Sequence, residues 1–149
     1  MKSSTGSDLP QLFIDTWAWL VLTDDHDPAY AEVVQLRRRY QEARRPWITT
    51  DYVLDELITR LFPRRPFANA EAFCEGLFEA EREGRLVIER ITPERFQRAW
   101  QLRRRYRDKP RISFTDLTSF AVMRELGIRQ VLTADAHFTQ VHLGFQRLP

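Results

Sequence analysis

Four of the chain's 21 acidic residues stand apart because of what surrounds them. Asp15 closes the apolar run Leu12-Phe13-Ile14 and is followed by Thr16-Trp17-Ala18-Trp19-Leu20, a context in which a lone carboxylate is costly. Glu56 lies between Leu54 and Leu57, Asp116 comes three residues after Ser113, and Asp135 follows Val131-Leu132-Thr133. Three of them also have plainer readings. Glu56 suits an exposed helix face, Asp116 has the spacing of a capping-box acid, and Asp135 in Thr-Ala-Asp-Ala suits a turn or helix cap. Asp15 is the hardest to explain in that way, since no lysine or arginine lies near it in the sequence. Several carboxylates at one crevice repel each other and are held together most simply by a hard divalent cation. Oxygen-only ligation suits Mg²⁺ or Mn²⁺ and not zinc. The chemistry of such a site is phosphodiester hydrolysis, with the ion activating water and a carboxylate taking the proton.

The elements that must position these acids follow from local pattern. Leu12-Phe13-Ile14, Pro46-Trp47-Ile48-Thr49, Leu86 to Ile91 and Gln130 to Thr133 read as short buried strands, with Gly144 to Leu148 as a last edge strand. Helices are expected after Asp27-Pro28, from Asp51 to Phe62, from Asn69 to Gly84, after Thr92-Pro93 and from Ser113 to Gly127. In the fourth of these, Phe96, Ala99, Trp100 and Tyr106 are expected to face inward. Short strands alternating with such helices indicate a parallel sheet covered on both faces, a single α/β domain. Asp15 and Asp135 then fall at the C-terminal ends of strands, where open α/β sheets bind ligands. Glu56 and Asp116 can lean over the same crevice from their helices.

Composition narrows the class. With 149 residues, 43% hydrophobic and 30% charged, the chain has the makings of one soluble domain. No apolar run is long enough to cross a membrane, and the polar residues 1–10 read as a loose leader before a domain over 11–149. One cysteine, Cys74, excludes an intrachain disulfide and a Cys-rich zinc site; it falls on an apolar helix side and fits a reducing, cytoplasmic setting. His26, His137 and His142 have no metal-ligand spacing with one another on a helix, and five glycines form no phosphate loop or dinucleotide fingerprint. The net charge of +2 does not by itself announce a nucleic-acid partner. Arginines nevertheless cluster at 37–39, 44–45, 64–65 and 103–105, as solvated helix faces or as phosphate contacts. The hexapeptide Gln-Leu-Arg-Arg-Arg-Tyr occurs at 35–40 and 101–106 in unmatched surroundings, so it is not a repeat.

Phe13-Ile14-Asp15-Thr16, Thr50 to Leu57, Ile112 to Met123 and Val131 to Phe138, in that order, resemble the PIN-domain ribonuclease family, and most of all its VapC-type toxins. The resemblance runs from Leu12 to the C-terminus. It implies a three-layer α/β/α sandwich with a central, mainly parallel sheet and metal-dependent endoribonuclease activity on RNA. It also implies that Asp15, Glu56, Asp116 and Asp135 form the catalytic, metal-binding set for Mg²⁺ or Mn²⁺, with Thr133 in support; Asp108 lies near the third acid and could substitute or assist, but its place before Lys109-Pro110 favours the surface. A homodimer and a small antitoxin that wraps the helices and reaches the active site are the implied partners. Two other readings stand beside the toxin: an RNA-processing PIN nuclease outside any toxin–antitoxin module, and a PIN-like module that binds RNA or protein without cutting.

Overall fold

The computed structural model describes residues 9–149. Five parallel strands form one sheet in the order β3-β2-β1-β4-β5. They are β1 (Leu12–Ile14), β2 (Trp47–Thr50), β3 (Leu86–Glu89), β4 (Gln130–Leu132) and β5 (Gln146–Leu148). The central position of β1 explains its composition: Leu12, Phe13 and Ile14 are wholly buried, as a strand covered on both faces must be. Phe13 lies opposite Ile48 of β2 on one side and Val131 of β4 on the other. At the edges the pattern relaxes, with Val87 of β3 and Gln146 and Arg147 of β5 exposed.

Seven helices connect and cover the strands: α1 (Thr16–Leu22), α2 (Tyr30–Glu42), α3 (Asp51–Leu61), α4 (Phe67–Arg82), α5 (Pro93–Arg105), α6 (Phe114–Leu126) and α7 (His137–Gln140). The connections from β1 to β3 cross the sheet one way and those from β3 to β5 cross it the other way. Right-handed crossovers therefore put helices on both faces, and the layers are those of an α/β/α sandwich. No helix among the described residues is long and apolar enough to cross a membrane. Of the leader expected over residues 1–10, residues 1–8 lie outside the described residues. Pro10 is tied down, its carbonyl accepting from the Tyr40 hydroxyl of α2 at 2.7 Å.

Several expectations about the elements are corrected. The helix expected from Asn69 begins at Phe67, because the Pro66 carbonyl already accepts from the Asn69 and Ala70 amides. The one expected after Asp27-Pro28 begins at Tyr30; the Asp27 carboxylate instead caps the preceding turn through the Ala29 amide at 2.8 Å. Helices α1 and α7 were not read from the sequence at all. In α5 only Ala99 and Leu102 are buried, with Tyr106 just beyond them. Phe96 is 40% exposed and packs on Phe114, while Trp100 is 49% exposed. The stripe that meets α6 is narrower than the helix's apolar composition.

Two helix starts matter for the site. Thr50 caps α3 by accepting from the Val53 amide at 3.1 Å, and Ser113 caps α6 by accepting from the Asp116 amide at 3.0 Å. The segment leading to Ser113 is held by one arginine. Arg103 donates to the carbonyls of Tyr106, Lys109 and Ile112, each at 2.7 Å, and the Tyr106 hydroxyl donates to the Val141 carbonyl at 2.9 Å. Of the three consecutive arginines, Arg103 is thus structural, whereas Arg104 is exposed and makes no hydrogen bond or ion pair among the described residues. Arg103→Ala is expected to cost about 2–3 kcal/mol in urea unfolding, since charge-assisted bonds to several carbonyls are lost. Arg104→Ala is expected to stay within about 0.5 kcal/mol of the parent.

Candidate active site

The strand order reverses between β1 and β4, and that switch point is where a doubly wound sheet opens a crevice at its carboxyl edge. Asp15 is the residue after β1, and its amide donates to the Leu132 carbonyl at the end of β4 at 3.2 Å. Thr133, the residue after β4, donates its hydroxyl to Asp15 Oδ2 at 2.7 Å. The same hydroxyl oxygen accepts from the Asp135 amide at 3.0 Å. One buried threonine therefore holds the carboxylate of one strand end and the backbone that presents the acid of the other. The supporting place expected for Thr133 is the place it occupies.

Asp116 enters from the first turn of α6. Its amide satisfies the Ser113 cap, but its carboxylate does not complete a capping box; it turns into the crevice and meets Asp135. His137 completes the group. Its amide donates to Asp135 Oδ1 at 2.8 Å, and its Nδ1 lies 3.1 Å from that oxygen and 4.0 Å from Asp116 Oδ2. Asp116, Asp135 and His137 each offer a ligand atom within 4.8 Å of the others, a candidate site for a metal ion. His137 was missed in the sequence because ligand spacing was sought among the histidines. The usable signal was Asp135-Ala136-His137, where one turn at the start of α7 brings both side chains to the same side.

Glu56 of α3 is close enough to raise the carboxyls of Asp15 and Asp116 electrostatically, but it stands outside the tight group. Its carboxylate pairs with Arg60 one turn on, at 3.6 Å. Asp108 is exposed and pairs with Lys109 at 2.9 Å, the surface placement that its position before Lys109-Pro110 favoured. Cys74 is buried in the core, as expected.

The electrostatics follow from this crowding. Burial pushes the Asp15 carboxyl up to about 6, against the lowering effect of the hydrogen bonds from Thr133 and the Thr16 amide; Glu56 and Asp135 add to the rise. Asp116 is also raised, chiefly by burial, then by its hydrogen bond to Asp135 and the charges of Asp15, Asp135 and Glu56. Burial would raise Asp135 too, but the bonds from Asp116 and the His137 amide and the His137 ring hold it below the usual range. In contact with the Asp116–Asp135 pair there is one basic group among the described residues, His137. The donor set is thus rich in carboxylate and short of positive charge, which is the composition that fits a divalent cation.

Because the folded value of Asp15 lies above its unfolded value, its ionisation opposes folding. The opposition is absent below about pH 4 and complete above about pH 6. In EDTA at pH 7, Asp15→Asn is therefore expected to raise the unfolding free energy by about 1–3 kcal/mol, a gain that fades as pH falls towards 4. Urea titrations at several pH values measure it; a loss of stability at pH 7 would contradict this account.

A family model described as PIN domain matches residues 12–143. The chain is 31% identical over 136 residues to the 23S rRNA-specific endonuclease VapC20 of Mycobacterium tuberculosis, in both strain CDC 1551 / Oshkosh and strain H37Rv, covering 86% of this chain and 92% of the relative. The crystal structure of that VapC20, a sarcin–ricin loop cleaving toxin, superposes with TM-score 0.72 and 29% identity over 91% of this chain and 97% of the other. The VapBC2 complex of Rickettsia felis bound to a promoter DNA fragment gives TM-score 0.66 at 14% identity, covering 92% and 96% of the two chains, and so shares the fold. With its sheet order, its acidic crevice and a family match over almost its whole length, this chain belongs to the PIN-domain family and is a close relative of the VapC20-type ribonuclease toxins.

Proposed function

We propose that this chain is a divalent-metal-dependent endoribonuclease and the toxin of a type II toxin–antitoxin module. The observation that carries the reading is the convergence of Asp15, Asp116, Asp135 and His137 at the switch point of a PIN fold. Asp116 and Asp135 are the direct holders of the cation, with Asp15 and Glu56 completing the acidic set and His137 placed to ligate or to orient Asp135. Mg²⁺ is the first candidate and Mn²⁺ the second, since a carboxylate-rich donor set suits both of these hard ions. The bound ion supplies activation of water and neutralisation of phosphoryl charge.

The chain's own residues prepare for that chemistry. Thr133 fixes the Asp15 carboxylate, and the His137 amide fixes Asp135, so neither acid must reorganise when substrate arrives. Burial and the neighbouring acids raise the Asp116 carboxyl, so a proton competes with a cation there. Cation binding must displace that proton, so affinity for the ion rises with pH.

The RNA proposed first is the sarcin–ricin loop of 23S rRNA, because the relative of known structure is described as cleaving that loop. An antitoxin is proposed for a groove of about 700 Å³ between α2 and α4. There Trp47 Nε1, Arg37 Nε and Arg45 Nε are buried without acceptors, and Phe73 and Leu77 are apolar. An acidic amphipathic segment would pair with the guanidinium groups lining the groove and cover its apolar side chains. A homodimer and a cytoplasmic location belong to the same proposal.

The test is cleavage of an RNA containing the sarcin–ricin loop, with Mg²⁺, with Mn²⁺ and in EDTA. Wild-type protein is expected to cut with either ion and not in EDTA. Asp15→Asn and Asp116→Asn are expected to lose at least about a hundredfold in kcat while remaining folded, a loss of the order seen for removal of one preorganised electrostatic group. A folded Asp116→Asn protein with full activity would refute the assignment of that acid. Wild type that binds this RNA and Mg²⁺ without cutting would favour the non-cleaving module.

A further inference from the structure

Beside the acidic crevice lies a smaller pocket, about 230 Å³, between α1 and the end of α3. Its wall is formed by Trp17 of α1 and by Arg60, Arg64 and Arg65 from the last turns of α3 and the segment beyond it. Trp17 is two residues past Asp15, and Arg60 holds Glu56, so the pocket adjoins the site through both. Two acids also line it, but both are already engaged. Asp24 accepts from the His26 amide at 3.1 Å and pairs with Arg65 at 3.4 Å, while Asp27 caps the Ala29 amide. Arg65 is thus held in place by Asp24, with its Nε buried and lacking an acceptor. Arg64 is exposed and makes no ion pair among the described residues. The pocket therefore offers one half-buried aromatic face and, in Arg64, an exposed guanidinium without an ion pair among the described residues, with Arg65 held beside it by Asp24.

We propose that this pocket seats the nucleotide flanking the scissile phosphate, its base against Trp17 and its phosphate on Arg64 and Arg65. The inference rests on the nuclease reading. An RNA strand placed with one phosphate at the acidic group must run past further carboxylates, and flanking phosphates need compensating cations within reach. Guanidinium forks provide them, and an indole face accepts any base by stacking. The pocket is too small for a folded peptide element and of the scale of a single base. Among the arginine clusters, this is the one that shares a pocket with Arg60, the partner of Glu56. Arg103 is committed to the loop before α6, and Arg37 and Arg45 line the groove between α2 and α4.

The experiment uses the full chain in EDTA, so that binding is read without cleavage, and a short fluorescein-labelled single-stranded RNA as the probe. Trp17→Ala is expected to weaken binding roughly five- to a hundredfold, with Trp17→Phe restoring most of it, as stacking requires. Arg64→Ala is expected to weaken binding and to lower the slope of log Kd against log salt by about 0.7, the value of one phosphate contact on a single strand. Arg104→Ala serves as the control and should leave both unchanged. With the metal present, Trp17→Ala and Arg64→Ala should raise KM more than they lower kcat. Unchanged affinity and KM in folded Trp17→Ala and Arg64→Ala would overturn the proposal and leave these arginines to an acidic protein partner. Pocket-dependent binding without any cleavage by wild type would sustain the pocket and sink the nuclease. Cleavage with pocket-independent binding would do the reverse.

Discussion

The site is built against a repulsion. Asp15, Asp116 and Asp135 are brought together where burial disfavours their charge, and even at an effective dielectric of 20 two like charges 4 Å apart oppose each other by about 4 kcal/mol. The fold meets this with hydrogen bonds where arginine would have been an alternative. Thr133 donates to Asp15, the His137 amide donates to Asp135, and burial with the neighbouring acids raises the Asp116 carboxyl, which favours its neutral form. An arginine among these carboxylates would neutralise them and close the place a cation needs. The arrangement is poised because it is left short of positive charge.

Much of the scaffold is explained by the need to hold that arrangement still. The carboxyl ends of β1 and β4 carry Asp15 and Thr133, and both strands are packed into the centre of the sheet, where every side chain of β1 is buried. Asp116 is delivered by α6, whose start is set by the Ser113 cap and by the loop that Arg103 ties to three carbonyls. At its other end α6 stops at Gly127, whose φ of +68° is the left-handed conformation a helix end commonly uses. Away from the site, Arg95 joins the end of β3 to α5 and α6 through Glu89 and Glu125. Cations excluded from the crevice thus reappear around it, as structural ties in some places and as unspent donors in others.

The element order was largely legible because burial on both faces makes the inner strands continuous apolar runs and because the caps Thr92 and Ser113 are local signals. The misreadings have equally local causes. Helices α1 and α7, of seven and four residues, are too short to show a periodicity. Phe96 and Trp100 are exposed because a helix's apolar content does not say how wide a face its neighbour covers. His137 escaped notice because its partners are aspartates and not other histidines.

The sequence by itself determined four candidate acids, a parallel α/β order that sends two of them to strand ends, and a family resemblance that names the chemistry. It could not rank those acids. Asp15 and Thr133 are separated by 118 positions, and only the pairing of β1 with β4 places one hydroxyl between the two acidic strand ends. The placing of the start of α6 against the turn after β4 brings Asp116 to ligand distance of Asp135 and His137, while Glu56 stays beside Arg60 and Asp108 on the surface. Local pattern fixes which way a side chain leaves its own element. Which side chains then share a crevice is set by how the elements cross.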